Sequence, residues 1–140
     1  MMTDEQLIAA YFADESKLYQ DFYRKVVLKE EWDEARPIGK LPSLEEMKAM
    51  ATQWLKNLRK QDEVRDFFCK VKLSRLKGGE TACSYWKKTR GVPHAQQELA
   101  IAIFADIFVV PVLHPTHTTV VVSALVLMHT LDFLCQDCGD

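Results

Sequence analysis

No lysine or arginine follows Arg90 in this chain of 140 residues. A fifty-residue tail without a cation has little to hold it in water. It also carries the longest apolar stretch, from Leu99 to Cys135, in two runs flanking His114-Pro115-Thr116-His117. Such a run must be buried in its own core, in a partner or in a bilayer.

Other absences narrow the field. The opening MMTDEQ has no basic region followed by an apolar one, so no secretory signal is expected there. Cysteine is scarce, with four residues (Cys69, Cys83, Cys135, Cys138) at uneven spacing. That spacing does not resemble a disulfide framework and predicts a reducing, cytoplasmic setting. No phosphate loop, dinucleotide fingerprint, HExxH or GxSxG is present, and Gly78-Gly79 stands without the rest of a nucleotide motif. These absences predict a protein that is not an enzyme and has no cofactor, resident metal or small-molecule substrate.

Glycine and proline are few and fall between segments, with Pro111 alone interrupting an apolar run. Apolar residues make up 48% and charged residues 27%, which is globular and argues against a long disordered segment. A single domain spanning 1–140 follows, long enough to bury about two-thirds of its unfolded surface.

Charge divides the chain into three. Residues 1–55 carry 7 basic and 11 acidic side chains, residues 56–90 carry 11 and 4, and residues 91–140 carry 0 and 5. The first part reads as acidic amphipathic helices. Thr3 and Gln6 have capping-box spacing, Asp14 is a second candidate cap, and an apolar stripe runs from Leu18 through Val27 to about Trp32. The stretch 36–42 breaks it. Ser43 and Glu46 open another capping box, followed by a helical face of Leu44, Met47, Ala51, Trp54, Leu55 and Leu58. Either Asp62 caps a fresh helix, or one bent helix runs from 43 to 76 and ends at Lys77-Gly78-Gly79. A short helix from Glu80 to Arg90 closes at Gly91.

The last segments read as two antiparallel helices, 95–113 and 118–135, turning at 114–117. Valine and threonine density favours strands there, but His129, Asp132 and Gln136 step by three and four, and apolar residues do not alternate. The expected fold is an all-α bundle of five or six helices around a buried apolar C-terminal hairpin. A membrane-inserting hairpin fits poorly. Leu99–Leu113 makes about 22 Å of helix against about 30 Å of hydrocarbon, and Asp106, His129 and Asp132 interrupt the runs.

The basic segment 56–90 is the most functional-looking feature: Lys56, Arg59, Lys60, Arg65, Lys70, Lys72, Arg75, Lys77, Lys87, Lys88 and Arg90, with Tyr85 and Trp86 beside the last three. Cations next to aromatics suit phosphate contact and base stacking. The same residues also suit an acidic protein partner, or the solvated face of two amphipathic helices neutralised by the acidic N-terminal part.

Two further constellations have weaker chemistry. Cys135 and Cys138 form a CxxC, and a helical hairpin brings it toward Cys83 and His94 rather than toward His114 and His117. His129 and Asp132 lie one turn apart, with Cys135 three residues beyond, which is the spacing of a Cys–His site or of a satisfied polar pair. The function expected from all this is a non-enzymatic interaction module, an adaptor, regulatory or small structural subunit that docks to another protein or a second copy of itself. Nucleic-acid binding through 56–90 is the alternative, and a membrane-inserting hairpin the third.

Overall fold

The computed structural model describes residues 3–28, 42–110, 118–136 and 138, and of Arg59 the backbone alone. The expected break at 36–42, save Pro42, and the turn at 114–117, with His114 and His117, lie outside the described residues.

Eight α-helices form where the caps and apolar spacing dictate. α1 (Asp4–Ala13) starts at a complete capping box, with the Thr3 hydroxyl accepting from the Gln6 amide and the Gln6 side chain accepting from the Thr3 amide. α2 (Glu15–Phe22) starts at Asp14, whose carboxylate accepts from the Ser16 amide, and it runs on as a π-helical turn over Tyr23–Val27. α3 (Leu44–Arg59) begins at Ser43, again capped onto Glu46.

The single bent helix from 43 to 76 is not what forms. Gln61 takes an extended conformation and α4 (Asp62–Lys70) begins afresh, so Asp62 lies in its first turn while Gln61 is the cap residue. Nor does a helix reach Lys77. Beyond Lys70 the backbone extends, and Lys72 bridges to Thr81 across a loop that turns at Gly78 and Gly79, both at positive φ. In this extended stretch Leu73 is buried while Val71, Lys72 and Ser74 are exposed, and the bridge to Thr81 replaces the helical bonding. The Leu73 amide donates to the Glu80 carbonyl, and Asp106 clamps the loop by accepting from the Ser74 amide (2.6 Å) and hydroxyl (2.9 Å).

α5 (Ala82–Thr89) is capped by Thr81. α6 (Pro93–Asp106) carries proline at its first turn, where a missing N–H costs nothing, and ends in a 3-10 turn over Ile107–Val109. α7 (Thr118–Leu127) does not continue to residue 135. Thr130 donates to the Leu125 carbonyl and His129 to that of Val126, the bonding pattern of a Schellman stop. His129 takes the left-handed position (φ 57°) that glycine usually fills. α8 (Leu131–Cys135) follows as a separate short helix.

The architecture is therefore helical as expected, but with eight helices among the described residues rather than five or six. The elements expected to be long are cut by turns made from backbone bonds and extended residues. No described helix is long and apolar enough to cross a membrane.

The apolar tail does form the centre. Nine of the ten residues of α7 are buried, so it is enclosed on all sides; α1, α2 and α6 pack around it. Ile8, Tyr11, Leu18 and Phe22 meet Ile103, Val122 and Leu125 in one continuous core. A second group of helices, α4, α5 and α8, packs mutually at the edge.

Candidate cysteine cluster and adjoining cleft

The expectation that the four cysteines make no disulfide framework is overturned. Cys69 is bonded to Cys138, and Cys83 to Cys135. The reason is tertiary. Cys69 sits near the end of α4, Cys83 in the first turn of α5, Cys135 at the end of α8 and Cys138 just past it. Packing of those three helices brings together residues 69 and 52 positions apart in the chain. The CxxC residues bond outward to two other helices, not to each other. With the cysteines paired, the argument for a reducing, cytoplasmic setting loses its ground, because structural disulfides persist in oxidising compartments.

The sulfurs form one cluster. Those of Cys69, Cys83 and Cys138 lie within 4.8 Å of one another, and Cys135 is bonded to Cys83. Of the set Cys83, His94, Cys135 and Cys138, the three sulfurs come together, while His94 instead pairs with Glu98 (2.9 Å) on the exposed side of α6. Cys69 takes the fourth place. The only sequence cue to it was the even number of cysteines.

Beside the cluster opens a cleft of about 530 Å³, lined by Trp86, Arg90, His129, Asp132, Phe133 and Cys135 among others. His129 and Asp132 both face it but do not act as a side-chain pair. Asp132 accepts from the Trp86 indole N–H (2.8 Å) and from Arg90 (3.2 Å), while the His129 ring meets Trp86 edge-on at 5.5 Å. The link between them is backbone: the Asp132 amide donates to the His129 carbonyl. Cys135 is tied up in its disulfide, so a Cys–His nucleophile is not assembled. The arrangement orients and locks α5 against α8.

The basic segment is dispersed in its bonding. Arg65 pairs with Asp62, Lys70 with Asp66, Arg75 with Glu5, Lys88 with Glu80 and Arg90 with Asp132. Lys56, Lys60, Lys72, Lys77 and Lys87 are exposed. The side chain of Arg59 lies outside the described residues. Trp86 is a correction to the expected contact surface: it is 1% exposed and belongs to the core, so its ring face is closed to a base. Tyr85 is half-buried and donates to Glu98 (3.3 Å); burial first, then the Glu98 charge, pushes its phenol above the ordinary value. Around it Glu5, Glu80 and Glu98 share a second cleft of about 610 Å³ with Arg75 and Lys77, a mixed rather than a positive surface.

Two other tyrosines, in α1 and α2, are held protonated. Burial, and then the Asp21 carboxylate that accepts its hydroxyl at 2.7 Å, raises Tyr11 far above its ordinary value. Burial and the Glu15 charge push Tyr19 up to about 12. Neither lines the two clefts described above, and burial is the first cause of both shifts.

No protein-family model, no curated protein and no solved structure matches this chain, so the reading of its function rests on its own residues.

Proposed function

We propose that this chain is a non-enzymatic helical interaction module, an adaptor, regulatory or small structural subunit that docks to another protein or to a second copy of itself. The observation that carries this reading is the tip of α6. Phe108 and Val109 are 76% and 55% exposed, between Ile107 and Val110, which are buried. The 3-10 turn, closed by the Val110 amide on the Ile107 carbonyl (2.9 Å), presents the two side chains on a fixed backbone. Aromatic residues, phenylalanine among them, are enriched at protein interfaces, and a preorganised one loses less freedom on docking. Covering a phenylalanine side chain is worth about 1.5–3 kcal/mol. The clefts support the reading in another way: their polar groups bond one another and hold helices in place.

A photo-crosslinking residue at position 108, compared with one at exposed Lys56, tests it together with light scattering. Adducts to one protein species from 108 and none from 56 are expected. A monomer by light scattering whose position 108 gives no adduct in extracts of its own cells overturns it.

The nucleic-acid alternative is supported by the exposed lysines Lys56, Lys60, Lys72, Lys77 and Lys87. The buried Trp86 and the carboxylate partners of Arg75, Lys88 and Arg90 weigh against it. It requires retention on DNA or RNA that falls steeply with salt and weakens when Lys72, Arg75, Lys87 and Lys88 become alanine. No retention at low salt removes it.

A further inference from the structure

The four sulfurs make a site separate from the Phe108 tip. A tetrahedral zinc ion with bonds of about 2.3 Å to thiolates sets its sulfurs about 3.8 Å apart. Here the sulfurs of Cys69, Cys83 and Cys138 fall within 4.8 Å of one another and that of Cys135 is bonded to Cys83, so opening the two S–S bonds leaves four neighbouring thiols, with Cys135 beside Cys83. Two of the donors, Cys135 and Cys138, have the C-x2-C spacing common in structural zinc sites. The other two come from separate helices, α4 and α5, so a bound ion would do the joining that the disulfides do.

The surroundings suit such an ion. Cys83 and Cys135 are 2% and 4% exposed, and Cys69 and Cys138 are half-buried. A closed shell of four sulfurs leaves no open position for water or substrate, which marks a structural rather than a catalytic site. Four thiolates on one divalent cation carry a net charge of −2. Cys83 stands in the first turn of the eight-residue α5, where backbone N–H groups favour anionic sulfur. Lys87 and Arg90 line the cleft that Cys135 borders.

We propose that the reduced cluster is a tetrathiolate zinc site formed by Cys69, Cys83, Cys135 and Cys138, and that zinc and the two disulfides are alternative states of the same four sulfurs. Loading begins with reduction by a trialkylphosphine. Two phosphines and two waters become two phosphine oxides, and the two S–S bonds become four thiols. One Zn²⁺ then displaces four protons. Discharge takes two equivalents of hydrogen peroxide and four protons. The sulfurs give up four electrons, re-forming both S–S bonds, and the products are free Zn²⁺ and four waters. In this way one fold is held together in a reducing and in an oxidising environment.

The test uses the full chain, reduced with a phosphine, supplied with zinc and freed of excess metal by gel filtration. One zinc per chain is expected by elemental analysis, with four sulfur neighbours by zinc X-ray absorption. Cobalt in its place is expected to give the visible bands of tetrahedral thiolate ligation. Cys69→Ser and Cys83→Ser are each expected to lower zinc retention against a chelator by about tenfold or more, and His94→Ala to leave it unchanged. Peroxide is expected to release the metal in full. The absorption measurement needs no variant, so a misfolded serine mutant does not blunt the test. Substoichiometric zinc on the reduced wild-type chain, fewer than four sulfur neighbours, or undiminished zinc in both serine variants overturns the proposal.

Discussion

α7 and α8 follow one another in the chain and are held by opposite means. α7 offers ten residues, nine of them buried, to the helices packed around it, and burial is its chief hold. α8 has five residues, too few to stand as a helix without help. It is held by covalent bonds from Cys135 and Cys138, and by Asp132 on Trp86 and Arg90. Apolar area suffices where an element is long enough to be surrounded. A one-turn element at the edge needs directional bonds.

Reduction of both disulfides in the presence of a chelator separates the two regimes and has the largest expected effect. Closing a loop of 69 residues restricts the unfolded chain by about 4 kcal/mol in the chain-entropy picture, and the bridge nested inside it adds less. Hydrogen exchange is expected to show α8 and α5 losing protection while α7 keeps most of its own. Equal loss in α7 would show that the edge and the centre unfold as one unit, and the contrast would fall.

Leu125→Ala attacks the other regime. It opens a cavity in the enclosed centre, and about 3 kcal/mol of lost stability is expected from denaturant titration. The loss should be similar with the disulfides intact or reduced, because the helices that pack most extensively on α7 are α1, α2 and α6, which carry no cysteine. A much smaller loss in the reduced protein would couple the two regions.

Tyr11 and Tyr19 sharpen the picture of the unstapled side. Folding disfavours ionisation of both phenols, so their contribution is complete below pH ~10, the ordinary value. It is lost as pH rises from there, through about 12 for Tyr19. Stability is therefore expected to fall on the alkaline side, and Tyr11→Phe to flatten that fall while costing about 1 kcal/mol at neutral pH through the lost bond to Asp21. Melting curves across alkaline pH check both. A fall unchanged in both Tyr→Phe variants would assign it to other groups.

The smallest effect has the opposite sign. The Ser123 hydroxyl, inside α7, has no hydrogen-bond partner among the described residues. Ser123→Ala is expected to raise stability by about 0.5–1 kcal/mol, read as a higher melting temperature. A loss would mean that the hydroxyl is bonded after all and that burial is not the chief hold on α7.

Much of the helix layout was legible because it is local. The caps at Thr3, Asp14 and Ser43 each act within three residues, whereas Thr81 as a cap and Pro93 as the first residue of α6 were not read from the sequence. Less visible were the stops. Nothing in the pattern of Val71–Leu76 announces the bridge from Lys72 to Thr81, which needs a strand partner nine residues away. Histidine at 129 hides a position that glycine would have advertised. The site was half legible. Cys83, Cys135 and Cys138 could be gathered from the hairpin, but Cys69 could not, since only the packing of α4 against α8 delivers it. Trp86 beside Lys87 and Lys88 read as a surface platform, yet the helix turns its indole inward to Asp132.

The order of residues by itself determined that most of the described apolar residues of the cation-free tail would be buried at the centre. Its apolar residues have no other way to leave water, and that drive needs no particular partner. Only the tertiary structure decided which cysteines meet and which cations are neutralised. Those contacts join residues tens of positions apart, and their geometry exists only once the helices have packed.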